Sequence, residues 1–337
     1  MIDDLRKELA RNAQGALLLH IAHVGVANAL FTHLERLGTA GHQALAEAAG
    51  VDAGYVERWC DAAYAFGLLA EAPGGFELTE LGAAFRPEAP GTLMPLAVGS
   101  VLSAHMAERA AGLMKSGERP GEQVLAERAT ILPWFGPMLE TRDGPVAERE
   151  VFPRLAILAE IDRSGGTVVD LGCGNGWFLR RLAARFKGLR GIGLDGFDEN
   201  IGQAERLARH AGVADRLSFR AGDIHRYTVT EPVALMVMTR ALHHVWDEKE
   251  RVFARFSESV AHGGAVLIWE PCWPKTRAEL ADPVRQRLAF QNLTEHVQGN
   301  HLLTPEAIEA EFRKVGMATQ VHLLAGASEA LVLGTRG

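Results

Sequence analysis

Apolar residues recur at helical spacing from position 17 to 37, with Leu17, Ile21, Val24, Phe31 and Leu34 along one side and Leu18, Val26 and Leu30 along another. Two apolar faces predict a helix buried on both. Two shorter helical segments follow, at about 43–49 and 53–69, and Leu68 to Leu78 then reads as a hairpin turning at Pro73-Gly74-Gly75. Three helices and a hairpin make a winged-helix pattern. A mainly helical connector is expected over about 91–161, interrupted at 117–121 and at Asp143-Gly144-Pro145.

From Gly166 onward the pattern changes to strands separated by helix-length segments, at about 167–171, 190–195, 217–221, 234–239 and 265–270. Such alternation predicts a parallel sheet with helices on both faces. The last helix has Thr304 as N-cap, Pro305 at its first position and Gly316 just past its end. Beyond it, strands at 319–324 and 330–333 are separated only by Ala325-Gly326-Ala327, too short for a crossover, so they should pair antiparallel. The expected fold class is α/β: a Rossmann-like seven-stranded domain over 162–337, preceded by a mainly helical winged-helix domain over 1–90 and a connecting segment over 91–161.

Composition narrows the function. The 337 residues are 47% hydrophobic and 23% charged, as in ordinary globular proteins, and the net charge of −7 comes without the clustered basic footprint of a nucleic-acid binder. Cys60, Cys173 and Cys272 are scattered thiols without metal or disulfide spacing, which fits a reducing, cytoplasmic compartment. The N-terminus has no apolar signal core, and the apolar stretch after Ala16 carries His20, His23 and Asn28, so neither secretion nor a membrane span is expected.

The most informative segment is Val168-Val169-Asp170-Leu171-Gly172-Cys173-Gly174-Asn175-Gly176, which reads as a strand, a tight turn and the start of a helix. Glycines let the backbone approach a nucleotide-like ligand closely, and the first N–H groups of the helix point toward it. About twenty residues on, a strand ends in Asp195, placed to accept hydrogen bonds from ribose hydroxyls. That spacing also suits NAD and a nicotinamide-dependent oxidoreductase. The acid that opens the loop, and a third carboxylate in Ala221-Gly222-Asp223-Ile224, favour another cofactor.

This ordered series resembles the class I S-adenosylmethionine-dependent methyltransferases over about 167–333. The resemblance implies S-adenosyl-L-methionine as cofactor, with Gly172, Gly174 and Gly176 beneath its methionine part. It further implies Asp195 on the ribose, Asp223 and Ile224 around the adenine, and Asp170 ordering the loop or meeting the cofactor ammonium. Arg240 is placed among the cofactor contacts on the same basis. The N-terminal half, with Leu45-Ala46-Glu47-Ala48-Ala49-Gly50-Val51 and Phe76-Glu77-Leu78-Thr79-Glu80-Leu81-Gly82, looks like that of small-molecule O-methyltransferases of the plant caffeate and bacterial polyketide type. In that family it builds a homodimer through its helices. A cofactor-sensing DNA-binding regulator is the rival use of such a domain. Over 38–90, however, Glu47, Asp52, Glu57, Asp61, Glu71, Glu77, Glu80 and Glu88 face only Arg58 and Arg86, a balance that repels phosphates.

After the fourth strand of that half the chain reads Thr239-Arg240-Ala241-Leu242-His243-His244, and in the resembled family the Leu-His supplies a general base, here His243. An imidazole suits the removal of a phenol or enol proton near neutral pH. A histidine here can also simply pack at a helix start, and His244 is the alternative base. The glutamate that usually orients the base is replaced by Asn300-His301-Leu302, leaving Glu270 and Glu295 as candidate orienting carboxylates and leaving nitrogen, carbon or carboxylate acceptors open beside oxygen, along with a non-methylating reaction. Family topology places His105, Met106, Trp134, Phe135, Phe290, Asn292 and His296 around the acceptor, with Trp134 and Phe135 as a lid between Pro133 and Gly136-Pro137. No metal site is expected, because the histidines lack ligand spacing with carboxylates and His243 and His244 should point apart on a helix.

Overall fold

The structure, a computed structural model, describes residues 1–128 and 130–337. The chain divides into two units, one of residues 1–109 and 125–141 and one of residues 110–124 and 142–337.

The first unit opens with a 26-residue helix, Ile2–Ala27, followed by Leu30–Leu37. The pattern over 17–37 predicted one continuous helix. The break falls at Asn28-Ala29, where Ala29 takes a left-handed φ of 52°. It turns Phe31 and Leu34 inward beside Ala22 and Val26, whereas Leu17 and Val24 stay exposed. Helices His42–Ala49 and Ala53–Ala65 follow, the second capped by Asp52, whose side chain accepts from the Tyr55 N–H. It ends four residues earlier than the pattern suggested, because Gly67 at φ 71° turns the chain into strand β1, Leu69–Ala72. Strand β2, Gly75–Leu78, pairs antiparallel with it, and the register Ala72↔Gly75 leaves Pro73-Gly74 as the turn. Phe31 packs edge-on to Trp59 at 5.4 Å, and the Trp59 indole donates to Ile21 O at 3.0 Å, tying the fourth helix to the first.

The second unit is built on a seven-stranded sheet. Its strands are β3 (Thr167–Leu171), β4 (Arg190–Asp195), β5 (Leu217–Ala221), β6 (Val233–Thr239), β7 (Val260–Pro271), β8 (Met317–Leu324) and β9 (Glu329–Arg336), in the order β5-β4-β3-β6-β7-β9-β8. The first five are mutually parallel, and β9 is antiparallel to both β7 and β8. Alternate residues feed opposite cores: Val168, Leu235, Val237, Leu267 and Trp269 on one face, Val169, Met236, Met238, Val266 and Ile268 on the other. The final helix, Pro305–Lys314, is capped by Thr304 as expected.

The predicted break at Asp143-Gly144-Pro145 is absent. Helix Leu132–Val146 runs through it, with Asp143 buried and held by Arg142 and Arg240, and the ladder slips into a π turn over Ala147–Val151, just past the missing N–H of Pro145. Among the described residues no single helix is long and apolar enough to cross a membrane.

Candidate functional site

Strand order reverses direction on either side of β3, between its neighbours β4 and β6, and ligands of open α/β sheets bind outside the strand ends at such a point. Asp170, Asp195, His243 and Glu270 all lie at those ends. The glycine loop there is closely fitted. Gly172, Gly174 and Gly176 have φ of 77°, 53° and 72°, a region that favours glycine. A Cβ on Gly172 would stand 2.5 Å from that of Ala241, and one on Gly176 2.5 Å from the Phe219 ring, whereas one on Gly174 would enter open space. Gly172 and Cys173 donate their N–H groups to Leu194 O, and the Gly174 N–H donates to Asp195 Oδ2 at 2.8 Å. The other oxygen of Asp195 accepts from Phe197 N at 3.0 Å and from the Asn200 amide at 2.9 Å. Asp195 thus fixes the loop and is itself held in one rotamer.

Asp170 is buried with its Oδ1 unpartnered. Burial, and after it the charge of Asp195, pushes its carboxyl up to about 8. An orphaned buried carboxylate oxygen beside an open glycine turn fits a cofactor that brings a cation and approaches the backbone closely. Asp223 lies on the surface, where it caps the turn Ile224–Arg226 by accepting from His225 N at 2.8 Å, and Ile224 comes close to Gly172. Cys173 is buried and burial pushes its thiol well up, so it fills space rather than attacking.

The second cluster is built on the 3-10 turn Leu242–Glu248 that follows β6. His243 is buried, its Nδ1 2.6 Å from Glu270 Oε2 and its Nε2 3.6 Å from Glu295 Oε2. Glu270, at the end of β7, accepts the Leu242 N–H with its other oxygen at 2.7 Å, which fixes the carboxylate and the ring together. Burial works against charge on His243, yet Glu270 and then Glu295 outweigh it and hold the imidazole up at about 10. Burial likewise raises Glu295, but His243 outweighs that and holds it down at about 2. Glu295 comes from helix Pro283–Val297, five residues before the Asn300-His301-Leu302 that departs from the family pattern.

His243 and His244 do not point apart. Their rings lie 4.1 Å apart at 35°, because the tight turn keeps neighbouring side chains on one side. His244 Nδ1 is 2.7 Å from Glu122 Oε1 and 2.7 Å from the Asn300 amide nitrogen. Neither Glu122 nor Asn300 carries a sequence signal for this role, since Glu122 is more than a hundred residues away in an irregular segment.

Arg240 holds a left-handed φ of 56° at the end of β6, and its guanidinium is taken up by Asp143, at 3.0 Å, and by Glu329. Asp143 also accepts from Nε and Nη2 of Arg142, each at 2.7 Å. The sequence placed Arg240 among the cofactor contacts; its guanidinium is engaged instead by these two buried carboxylates, neither of which the sequence linked to it. Of the expected acceptor contacts in the second unit, Asn292 caps Leu302 N at 2.8 Å, whereas Phe290 and His296 are exposed on the helix whose Glu295 reaches His243. In the first unit, His105 is buried, accepting from Arg128 at 3.1 Å with its Nε2 3.5 Å from Glu127, beside buried Met106. Trp134 and Phe135 pack in the core of that unit within a helix rather than on a loop.

Residues 168–264 match the family of methyltransferase domains. The chain is similar to a trans-aconitate 2-methyltransferase of Streptomyces avermitilis, 29% identical over 206 residues that cover 58% of this chain and 76% of that protein. It superimposes on an O-methyltransferase family protein from Burkholderia thailandensis with a TM-score of 0.71 at 18% identity, over 100% of this chain and 98% of that one. It is equally similar to human N-acetylserotonin methyltransferase, solved with S-adenosylmethionine, with a TM-score of 0.71 at 18% identity over 99% and 98% of the two chains. The protein is an S-adenosylmethionine-dependent methyltransferase. Its fold is that of the class I small-molecule O-methyltransferases.

Proposed function

We propose that this enzyme methylates a hydroxyl oxygen of a small, largely apolar natural-product-like acceptor, with His243 as the general base. The observation that carries the reading is the buried His243 imidazole set between Glu270 and Glu295. The glycine loop, Asp170, Asp195, Asp223 and Ile224 would hold S-adenosylmethionine, which would supply an electrophilic methyl on a sulfonium and leave as the neutral thioether. The chain's own part is to take a proton and to place an oxygen. Glu270 fixes Nδ1 as the donor nitrogen, leaving Nε2 to receive the proton of the acceptor hydroxyl. With the ring held up at about 10, the free protein carries an imidazolium at neutral pH. A neutral ring beside a phenol and an imidazolium beside a phenolate contain the same number of protons, so an acceptor that ionises on binding reaches the reactive state directly. The two flanking carboxylates stabilise the charge that this transfer leaves on the ring.

The same reading places the enzyme in the cytoplasm as a homodimer. The three thiols are free and buried, in keeping with a reducing compartment. Residues 1–17 are exposed although they carry Leu5, Leu9 and Leu17, an apolar stripe that a second copy would cover. The direct test of the chemistry is His243→Ala, which should lower turnover by roughly 10²–10⁴ with cofactor affinity close to the parent's, the usual size of general-base catalysis. Turnover near the parent's at saturating acceptor would make His243 a packing residue.

A further inference from the structure

Sequence spacing argues against a metal here only if His243 and His244 point apart, and the turn brings their rings to 4.1 Å instead. One ring nitrogen from each histidine and one carboxylate oxygen of Glu295 all lie within 4.8 Å of one another, the one such group of histidine, cysteine and acidic side chains among the described residues. His243 offers its Nε2, because Glu270 Oε2 occupies Nδ1 at 2.6 Å and is itself held through its other oxygen by the Leu242 N–H. That Nε2 stands 3.6 Å from Glu295 Oε2, too far for a hydrogen bond but close to the ~3.4 Å that separates two ligand atoms each ~2.1 Å from a tetrahedral cation. A further carboxylate backs each ring, Glu270 at His243 and Glu122, whose Oε1 lies 2.7 Å from a nitrogen of His244. Histidines that ligate metals are regularly steadied by a carboxylate in this way. With neutral rings the cluster has carboxylates and no cation, and His243, Glu270 and Glu295 are all buried, so a positive ion placed among them would be screened little by solvent.

Going beyond the reaction proposed above, we propose that His243, His244 and Glu295 form a binding site for one divalent transition-metal cation of the zinc, cobalt(II) or iron(II) type, with Glu270 and Glu122 holding the two rings. Two imidazoles and one carboxylate suit such ions, whereas magnesium and calcium prefer sites made of oxygen alone. Three protein ligands leave the cation at least one open position, for water or for an oxygen of the acceptor. The thiols take no part, since Cys60, Cys173 and Cys272 are buried and none belongs to the group. The site shares an atom with the proposed base: the cation and the proton of the acceptor compete for Nε2 of His243. Filling the site therefore removes the lone pair that the base needs, and the cation and the base assignment can be tested apart.

Calorimetric titration of chelator-treated, dialysed protein with zinc tests this in the absence of acceptor. The parent should take up one cation per chain with micromolar or tighter affinity, while magnesium at the same concentration gives no heat of binding. Cobalt(II) should develop a visible absorption band that zinc then abolishes. His244→Ala, which removes one of the three ligands, should weaken zinc binding by roughly a hundredfold or more, and Glu122→Gln, which keeps the ligands and loosens one ring, by about 10–100-fold. The glutamine variant, at a half-exposed position, serves if the alanine variant does not fold. Absence of zinc uptake by the parent would overturn the proposal, as would an affinity that both substitutions leave unchanged. Methyl transfer is read separately on metal-free and zinc-loaded protein, and filling the site should suppress it. Transfer that appears only on filling removes the base assignment and leaves the cation site in place. No zinc uptake, with transfer still lost in His243→Ala, removes the cation site and leaves the base.

Discussion

Glu295→Gln isolates the electrostatic part of the base assignment, because it keeps the shape of the side chain and removes a charge 3.6 Å from His243 Nε2. Two unit charges ~4 Å apart at an effective dielectric of ~20 interact by about 4 kcal/mol. Part of that is already offset, since the amides of Gln291 and Gln298 donate to the same carboxylate at 3.4 and 2.9 Å. If about half reaches the imidazole, the change is ~2 kcal/mol, or about 1.5 pH units. The sign follows from which form is the base. A ring held up at about 10 keeps its proton until the pH rises toward that value, so kcat/KM of the parent should climb through the neutral range and level off only near the alkaline end. Removing Glu295 lets the proton go sooner, and the rising limb should move to lower pH by about 1.5 units. The assay is the pH dependence of kcat/KM with one fixed acceptor, corrected for the acceptor's own ionisation. The height of the profile is not the readout, because a weaker base and a less constrained ring both lower it. A limb that stays in place would refute the claim that Glu295 sets the basicity of His243, and a parent profile flat across the neutral range would refute His243 as the titrating group.

Two further outcomes follow from other parts of the molecule. Asp170 holds a proton below about 8, and a cofactor ammonium at its unpartnered oxygen should displace it, so S-adenosylmethionine binding at pH 6.5 should release close to one proton, seen as a buffer-dependent heat. Asp170→Asn should abolish that dependence, and the assignment fails if the heats of parent and variant vary alike with buffer. Light scattering at micromolar concentration should show a dimer, reduced to a monomer by Leu9→Asp with Leu17→Asp; a monomeric parent removes the role given to the apolar stripe on the first helix.

What could be read from the sequence was what local pattern carries. The glycine loop, the strands and the antiparallel pair at the end follow from periodicity over a few residues and from a connection too short for a helix, and β3, β4 and β5 match the expected limits. The errors lie where tertiary contacts override local preference. Ala29 in a left-handed turn splits what periodicity reads as one helix, because Phe31 must turn in against Trp59. Asp143-Gly144-Pro145 stays helical because two arginines hold Asp143. At the site, His243 and Glu270 were legible as the ends of successive strands, and Glu295 could be named but not chosen. Glu122 and Asn300 were invisible, since only the folded chain brings an irregular segment and a helix end to one imidazole.

The division of the chain has a practical consequence for anyone who would take it apart or recombine it. Residues 110–124 belong with the sheet while 125–141 belong with the helical unit, so the backbone changes allegiance three times along its length. No single cut yields either unit whole. A fragment beginning at residue 142 would carry the glycine loop, His243, Glu270 and Glu295, yet it would leave behind Glu122, which lies 2.7 Å from His244. Swapping N-terminal halves between relatives at a boundary near residue 142 would therefore replace Glu122 while keeping its partner His244.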